Sequence, residues 1–278
     1  MAQSLQQALL TSWSFPAGTA VAILATGVVY VRGFFKIRKT RPGRFPRRRL
    51  YFFLSGLGSL WIALTSPLDV LNESLLVIHM TQHLMLMSVV PPLLLLGAPA
   101  VPLLRGLPRF VVRRWMGPLF RSRALRQGMK FVTHPVFAWL AMNIAFLGWH
   151  VPWAYELALR SEEWHTVEHS TFLVTSLLFW FPIIQPWPSG GRWSRWALLP
   201  YLLTADVVNT GLSAFLTFSG RLLYTSYAAT TEVFGISALS DQAAAGALMW
   251  VLGSVFYLVP MVFITMRLLS PRGRRVLT

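Results

Sequence analysis

The chain is a succession of long apolar stretches separated by short polar and basic segments. Seven of these stretches are near or above the length of about 20 residues that a helix needs to cross a bilayer. They lie near residues 17–36, 49–68, 75–97, 134–153, 164–186, 196–218 and 241–267. Their continuous apolarity favours helices, because the strands of a membrane barrel alternate polar and apolar residues. The pattern predicts an all-α integral membrane protein, a single seven-transmembrane-helix bundle over 1–278.

The composition supports this interpretation and limits the chemistry. Of 278 residues, 55% are hydrophobic and only 12% are charged, with a mean hydropathy of +0.54. A soluble domain carries about 25% charged residues. The chain has no cysteine, which excludes disulfides and thiolate metal sites. Any metal must therefore be held by histidine, methionine, carboxylate or backbone oxygen atoms.

The basic residues define the predicted orientation. The formal net charge is +16, and 23 of the 25 basic residues lie between spans 1 and 2, 3 and 4, or 5 and 6, or at the C-terminal end. The positive-inside rule then places the N-terminus outside and the C-terminus in the cytoplasm. This distribution argues for membrane lipids and against nucleic acid as the partner of the charge. Within the basic 98–133 segment, 110–116 could form an amphipathic helix on the inner interface.

The candidate chemistry is carried by histidines in the apolar stretches. His79 and His83 are four residues apart near the start of the third stretch, His165 and His169 repeat this spacing in the fifth, and His150 is near the end of the fourth. Residues at i and i+4 share one face of a helix. The predicted topology places all five histidines near the outer surface. Neutral imidazoles bind copper, zinc or haem iron, so we predict a metal site there.

Other residues are weaker candidates for the same site. The thioethers of Met80 and Met249 would suit Cu(I), although methionine commonly fills gaps in a core. Glu168 and Asp241 are candidates either for further ligands or for groups that orient the imidazoles.

Three further features bear on helix packing. Asp206, with Asn209 one turn later, is a polar interruption in the sixth stretch, and a functional role and a structural one are equally open. Pro91-Pro92 should kink the third span and free backbone carbonyls that neighbours must satisfy. The small residues that follow Asp241 at the start of the last span suit close helix contact.

The polar motifs, taken in order, resemble those of a known family. His79-x-x-Gln82-His83, leading into Pro91-Pro92, is similar to a motif of the CtaG-type assembly factors of caa3-type cytochrome c oxidase. The resemblance extends over nearly the whole chain from the second to the seventh span. It also includes His134-Pro135, Trp149-His150-Val-Pro152-x-x-Tyr155, His165-x-x-Glu168-His169, Phe179-Trp180-x-Pro182 and Asp241-Gln242-x-x-Ala245-Gly246-x-x-Met249-Trp250.

The resemblance implies a multi-pass protein of the bacterial plasma membrane that serves respiratory-chain biogenesis. It further implies a non-enzymatic role, a metallochaperone that supplies copper to the CuB centre of cytochrome c oxidase subunit I. The implied partners are subunit I or its assembly intermediates.

Three other interpretations remain. Facing histidines could ligate a haem in a membrane electron-transfer protein, because bis-histidine ligation takes one imidazole from each of two helices. The protein could instead be a metal-free assembly scaffold whose histidines satisfy one another. A transporter centred on Asp206 is disfavoured, because the sequence shows no inverted repeat or pair of broken helices.

Overall fold

The computed structural model describes residues 16–189 and 193–270, and every regular element within those ranges is helical. Predictions that concern residues 1–15 and the basic residues Arg192, Arg272, Arg274 and Arg275 lie outside the described residues. The helices, in chain order, are α1 (Ala17–Thr40), α2 (Arg47–Thr65), α3 (Pro67–Leu71), α4 (Leu76–Leu96), α5 (Ala100–Gly106), α6 (109–121), α7 (Arg123–Val132), α8 (Pro135–Trp149), α9 (Pro152–Arg160), α10 (Glu162–Ile184), α11 (Arg195–Phe218), α12 (Tyr227–Thr230) and α13 (Ala238–Leu269).

Five helical segments in the described ranges are long and apolar enough to cross a membrane. They are α1, α2 continued through α3, α4, α10 and α13. A sixth is obtained when α7 and α8, which are bent by 63° at a short break, are counted as one broken span. The chain is therefore all-α with five or six candidate membrane spans, and the count of seven stays a prediction.

Two predicted spans account for the difference. The stretch near 134–153 is helical only through Trp149, and 15 residues rise about 22 Å, less than the apolar thickness of about 30 Å. The helix begins at Pro135, capped by the His134 imidazole, which accepts a hydrogen bond from the Val136 N–H. The stretch near 196–218 is the 24-residue helix α11, in which Asp206 lowers the mean hydropathy.

Helix α4 has a freed carbonyl that a neighbouring helix satisfies, as predicted from its two prolines, whereas the kink stays a prediction. The helix widens into a π-helical turn at Met85–Val89, which ends two residues before Pro91. Pro91 has no N–H to donate to the Met87 carbonyl, four residues earlier. The indole N–H of Trp180 donates to that carbonyl instead, at 2.9 Å. This bond ties α4 to α10, the two helices that carry the paired histidines.

The small residues of α13 allow it to lie close against α11. A Cβ added at Gly246 would be only 2.8 Å from the Ser213 carbonyl oxygen, and one at Gly253 would meet the Asn209 amide. The predicted small-residue face is thus a helix-packing surface, as glycines commonly are between membrane helices.

The apolar interior has two parts. The larger part lies among α4, α8, α10, α11 and α13, and the smaller joins α1 to α2. Within the larger part, α4 and α10 begin, and α8 ends, at the same end of the bundle, which brings His79, His150 and His165 together. This meeting of three helix ends positions the candidate site.

The segment after α4 folds back along α1. Gly33 and Gly106 face each other so closely that a Cβ on either would overlap the backbone of the opposite helix. Helix α6 then covers the predicted amphipathic 110–116 segment, and its Phe110 and Trp115 side chains are both 67% exposed.

Candidate metal centre

Four ligand-type side chains converge where α4 meets α10. They are His79, His83, Glu168 and His169, and one nitrogen or oxygen atom of each lies within 4.8 Å of those of the others. All four side chains are buried, with exposed fractions of 0, 3, 0 and 8%, respectively. The i,i+4 spacing of the α4 pair explains half of this grouping. The packing of α10 against the π-helical part of α4 supplies the other half.

The distances within the cluster are close to those of a mononuclear site. The Nε2 atoms of His79 and His83 are 2.8 Å apart, and they lie 3.8 and 3.6 Å from the two Glu168 oxygens. An ion with bonds of about 2.0 Å holds tetrahedral ligand atoms roughly 3.3 Å apart and opposed ones about 4 Å apart. Side-chain rotations that move the atoms by less than about 1 Å would therefore give metal–ligand distances.

Hydrogen bonds fix the tautomers of two imidazoles. The Tyr227 hydroxyl donates to the Asn72 carbonyl at 2.8 Å, so its oxygen accepts from His79 Nδ1 at 3.2 Å. His150 Nδ1 lies 2.7 Å from the Phe146 carbonyl, which can only accept. Both imidazoles therefore carry the proton on Nδ1 and present an unprotonated Nε2, the form that a metal ion binds. Ligand histidines in metalloproteins are held in this way. In the metal-free protein, His79 Nε2 accepts a hydrogen bond from His83 Nε2 at 2.8 Å.

His150 and His165 lie beside the four-residue cluster. The His165 ring is centred 4.0 Å from that of His169, and the His150 ring 6.2 Å from that of His83. The structure thus brings all five predicted histidines into one group, with two of them at its margin. Several buried polar atoms of this group make no hydrogen bond: His83 Nδ1, His150 Nε2, His165 Nε2, His169 Nε2 and both Glu168 oxygens.

The structure places the weaker candidates elsewhere, except for Glu168. Asp241 accepts hydrogen bonds from the N–H groups of Leu76 and Val77, at 2.6 and 3.2 Å. It therefore caps helix α4 rather than orienting an imidazole. Met80 and Met249 belong to the apolar core. Packing therefore accounts for both methionines.

The polar residues of α11 are paired with α13. The Asp206 carboxylate accepts a hydrogen bond from the Ser254 hydroxyl at 2.8 Å, and the Asn209 amide donates to the Met249 carbonyl at 3.3 Å. Of the two open roles, helix pairing accounts for the observed contacts of both side chains.

A polar network that the sequence did not predict lies behind the cluster. The hydroxyl of Tyr155 lies 3.1 Å from that of Tyr227, and burial raises the pKa of both phenols well above their usual value, so they stay protonated. Gln82 donates to Asp69 at 2.9 Å and accepts from Asn72 at 2.9 Å. Gln82 and Tyr155 stand in the sequence motifs, but Tyr227 lies in a connecting segment without any motif.

A cavity gives access to the cluster from the protein surface. It has a volume of about 520 Å³ and is open to the outside on one side. His165 and His169 line it together with the carboxylates of Asp69 and Glu162. His169 is thus at once a member of the four-residue cluster and part of the cavity wall. A cation that entered this cavity would meet carboxylates and imidazoles before the buried groups.

The donor set determines which ligands the centre suits. Three imidazole nitrogens and one carboxylate oxygen favour a borderline transition metal such as Cu²⁺ or Zn²⁺. The site is closely packed, since Tyr155 and Phe172 rings lie 5.1 and 4.7 Å from the His79 and His83 rings, centre to centre. The arrangement fits one bare ion.

Comparison with known proteins gives bacterial relatives. The chain is 26% identical over 284 residues to uncharacterized proteins of Mycobacterium bovis and Mycobacterium tuberculosis, a match that covers 96% of this chain. An uncharacterized protein of Mycobacterium leprae is 26% identical over 255 residues, which is 86% of the chain. The chain spans about two fifths of the length of these relatives. No solved structure matches it.

The family relationship rests on a match over most of the chain. The model of the cytochrome c oxidase caa3 assembly factors covers residues 28–270, from within α1 to the end of α13. This range includes all five clustered histidines, Glu168 and the tyrosine network. The chain belongs to the family of cytochrome c oxidase caa3 assembly factors.

Proposed function

We propose that the protein binds a copper ion at the His79, His83, Glu168 and His169 cluster and delivers it to the CuB centre of cytochrome c oxidase subunit I. The unpartnered polar atoms of the cluster carry this proposal. A buried polar atom without a partner costs roughly 1–3 kcal/mol. Here the Glu168 oxygens and His169 Nε2 have no hydrogen-bond partner, and they belong to a cluster whose ligand atoms lie within 4.8 Å of one another, so one cation would satisfy them together.

The packing around the cluster favours a single ion over the haem alternative. A haem with two histidine ligands needs a flat slot between facing imidazoles, whereas the Nε2 atoms of His79 and His83 are 2.8 Å apart. It also favours metal binding over a metal-free scaffold, because imidazoles that only satisfied one another would not leave His169 Nε2 and both Glu168 oxygens without hydrogen bonds.

The cavity beside His169 supports a route for the ion. Asp69 and Glu162 attract a cation, and His165 offers a first imidazole on its way to the buried cluster. The same opening would serve as the exit toward a partner, and the family relationship favours a role in assembly without catalysis. The family relationship makes the oxidase the expected partner, and the chemistry of CuB, a copper centre, makes copper the expected cargo.

We further propose the seven-span topology in the bacterial plasma membrane, with the N-terminus outside and with α7 and α8 together as one broken span. Helix α11 has 24 residues, long enough to cross, and packs along α13 through Gly246 and Gly253. With this orientation the cluster and its cavity lie near the outer surface. Topology reporters fused to the basic segments after α1 and after α4 would both report the cytoplasm, and any other result would contradict the orientation.

Metal quantification tests the copper site most directly. The protein, purified after growth with copper, should contain about one copper per chain by mass spectrometry of the metal. The double variant His79→Ala/His83→Ala should contain only background copper. The matched control is His134→Asn, which removes the sixth histidine but keeps a side chain that can cap α8.

The oxidase gives the second measurement. In cells that depend on this gene, the double variant should lose CuB-dependent oxidase activity, whereas the His134→Asn control should retain it. Wild-type protein without copper but with a Soret absorption band would favour the haem alternative. Wild-type protein without any metal, together with full oxidase activity of the double variant, would contradict the proposal.

A further inference from the structure

A cavity of about 510 Å³ with a strongly cationic wall lies where α1, α5 and α6 meet, away from the histidine cluster. Its basic side chains are Lys36 of α1, Arg105 of α5, and Arg109 and Arg113 of α6. The Lys36 ammonium group donates a hydrogen bond to the Arg105 carbonyl at 3.1 Å, which holds it at the end of α5 beside the arginines.

The close α1–α5 contact is what assembles these charges. Gly33 lies one turn before Lys36, and Gly106 directly follows Arg105. Because neither glycine has a Cβ, the two helices approach each other so closely that Lys36 reaches the end of α5. The i,i+4 spacing of Arg109 and Arg113 then sets both on one face of α6.

The sequence on either side of these basic groups has no acidic residue to balance their charge. All nine aspartates and glutamates lie at Asp69 or later, and the stretch between Glu73 and Glu156 contains none. Among the described residues, the ion pairs involve neither Lys36 nor any of the three arginines. Four like charges around one cavity repel each other, so a bound anion would relieve an unfavourable arrangement.

The apolar part of the same region indicates which anion. Leu104, Leu107 and Val112 line the cavity beside the basic groups. Phe110 and Trp115, on the adjoining helix α6, are each 67% exposed. A free phosphate would use only the charges, whereas a phospholipid places a phosphate next to acyl chains. Basic clusters beside membrane helices bind anionic head groups in this way.

We propose that this cavity is a specific binding site for the head-group phosphate of an anionic phospholipid. Lys36, Arg105, Arg109 and Arg113 contact the phosphate, and α6 rests on the acyl chains through its exposed aromatic residues. The proposal is independent of the copper site.

The test uses the full chain, purified in a neutral detergent and freed of lipid. Phosphatidylglycerol, phosphatidylcholine with the same acyl chains, and inorganic phosphate are titrated separately, and native mass spectrometry records the bound ligand. The cavity variant is Arg105→Gln/Arg109→Gln/Arg113→Gln. Its control, Arg41→Gln/Arg44→Gln/Arg48→Gln, removes the same charge from exposed positions that do not line the cavity.

We expect wild-type protein and the control to bind phosphatidylglycerol, and the cavity variant to bind it at least about ten-fold more weakly. If the triple variant fails to fold, the single exposed change Arg109→Glu replaces it, with Arg44→Glu as its control. Equal losses in the cavity and control variants, or equal binding of phosphatidylcholine, would overturn the site. If inorganic phosphate saturated the cavity and abolished the preference for phosphatidylglycerol over phosphatidylcholine, the assignment to lipid would be overturned.

Discussion

Two groups of polar residues interrupt the apolar helices, and they differ in how they are satisfied. On α11, Asp206 is hydrogen-bonded to Ser254 and Asn209 to the Met249 carbonyl. At the α4–α10 contact, the Glu168 oxygens and His169 Nε2 have no hydrogen-bond partner although they are buried. Both groups look alike in the sequence, as costly polar residues in a membrane span.

The difference separates a structural from a functional polar group. The polar side chains of α11 form hydrogen bonds with α13, and these bonds are sufficient to explain their presence in a membrane span. The histidine cluster leaves the hydrogen-bonding capacity of Glu168 and His169 unused, in a group whose ligand atoms lie within 4.8 Å of one another. Unused capacity at a buried site indicates a ligand, because the protein alone would be more stable with apolar residues there.

The largest expected effect is stabilisation by copper. A ligand at 100 times its Kd stabilises the folded state by about 2.7 kcal/mol. Copper should therefore raise the unfolding temperature of the wild-type protein, recorded by the fluorescence of its 12 tryptophans. Asp206→Asn should respond to copper as the wild type does, and His79→Ala/His83→Ala should not respond. If copper raised the unfolding temperature of the double variant as much as that of the wild type, the histidine cluster would not be the copper site.

In the metal-free protein, substitutions in the two groups should change the free energy of unfolding in opposite directions. Glu168→Leu removes two unpartnered buried oxygens and should raise the free energy of unfolding by about 1 kcal/mol or more. Asn209→Ala removes a hydrogen bond and a contact with Gly253, and should lower it by about 1–2 kcal/mol.

Thermal unfolding of both variants without copper measures these signs. Copper binding by each variant is the control, because Glu168→Leu should bind copper more weakly and Asn209→Ala should bind it unchanged. If Glu168→Leu destabilises the protein as much as Asn209→Ala does, the Glu168 carboxylate is a structural group.

Tyr227→Phe should lower the copper affinity of the histidine cluster without removing a ligand. The hydroxyl holds the His79 proton on Nδ1, and loss of such a supporting group costs about 10–100-fold in metal affinity. The measurement is a copper titration against a competing chelator. Tyr201→Phe, whose hydroxyl donates to the Phe179 carbonyl, is the matched control and should leave the affinity unchanged. A drop of the same size in both variants would indicate a general loss of packing.

The sequence predicted the grouping of the histidines but not the contacts that hold this group in place. Helical periodicity requires His79 and His83 to share a face, and the order of spans brings His150 and His165 to the same end. The cap that Asp241 forms on α4 was not predictable, because it joins a side chain to backbone N–H groups 165 residues away. The role of Tyr227 depends likewise on the path of a connecting segment, which has no periodicity to indicate it.

The number of spans was harder to predict for a related reason. Apolarity continues from Pro135 to Pro152, but the helix ends at Trp149 because the Pro152 ring removes a donor and favours a new start at α9. Hydropathy measures how well a segment tolerates lipid, whereas the break depends on backbone geometry that hydropathy does not include.

The smallest effect compares two serines that differ only in their partners. Ser254→Ala removes the hydrogen bond to Asp206, and such bonds between membrane helices contribute about 0.6 kcal/mol on average. Ser176→Ala removes a hydroxyl on α10 that is fully buried and makes no hydrogen bond, so it should leave the free energy of unfolding unchanged or raise it. Parallel unfolding curves of the two variants decide the outcome. If Ser176→Ala costs as much as Ser254→Ala, lack of a partner in the structure does not mark a polar group as unsatisfied, and the argument from the histidine cluster to a metal would lose its physical basis.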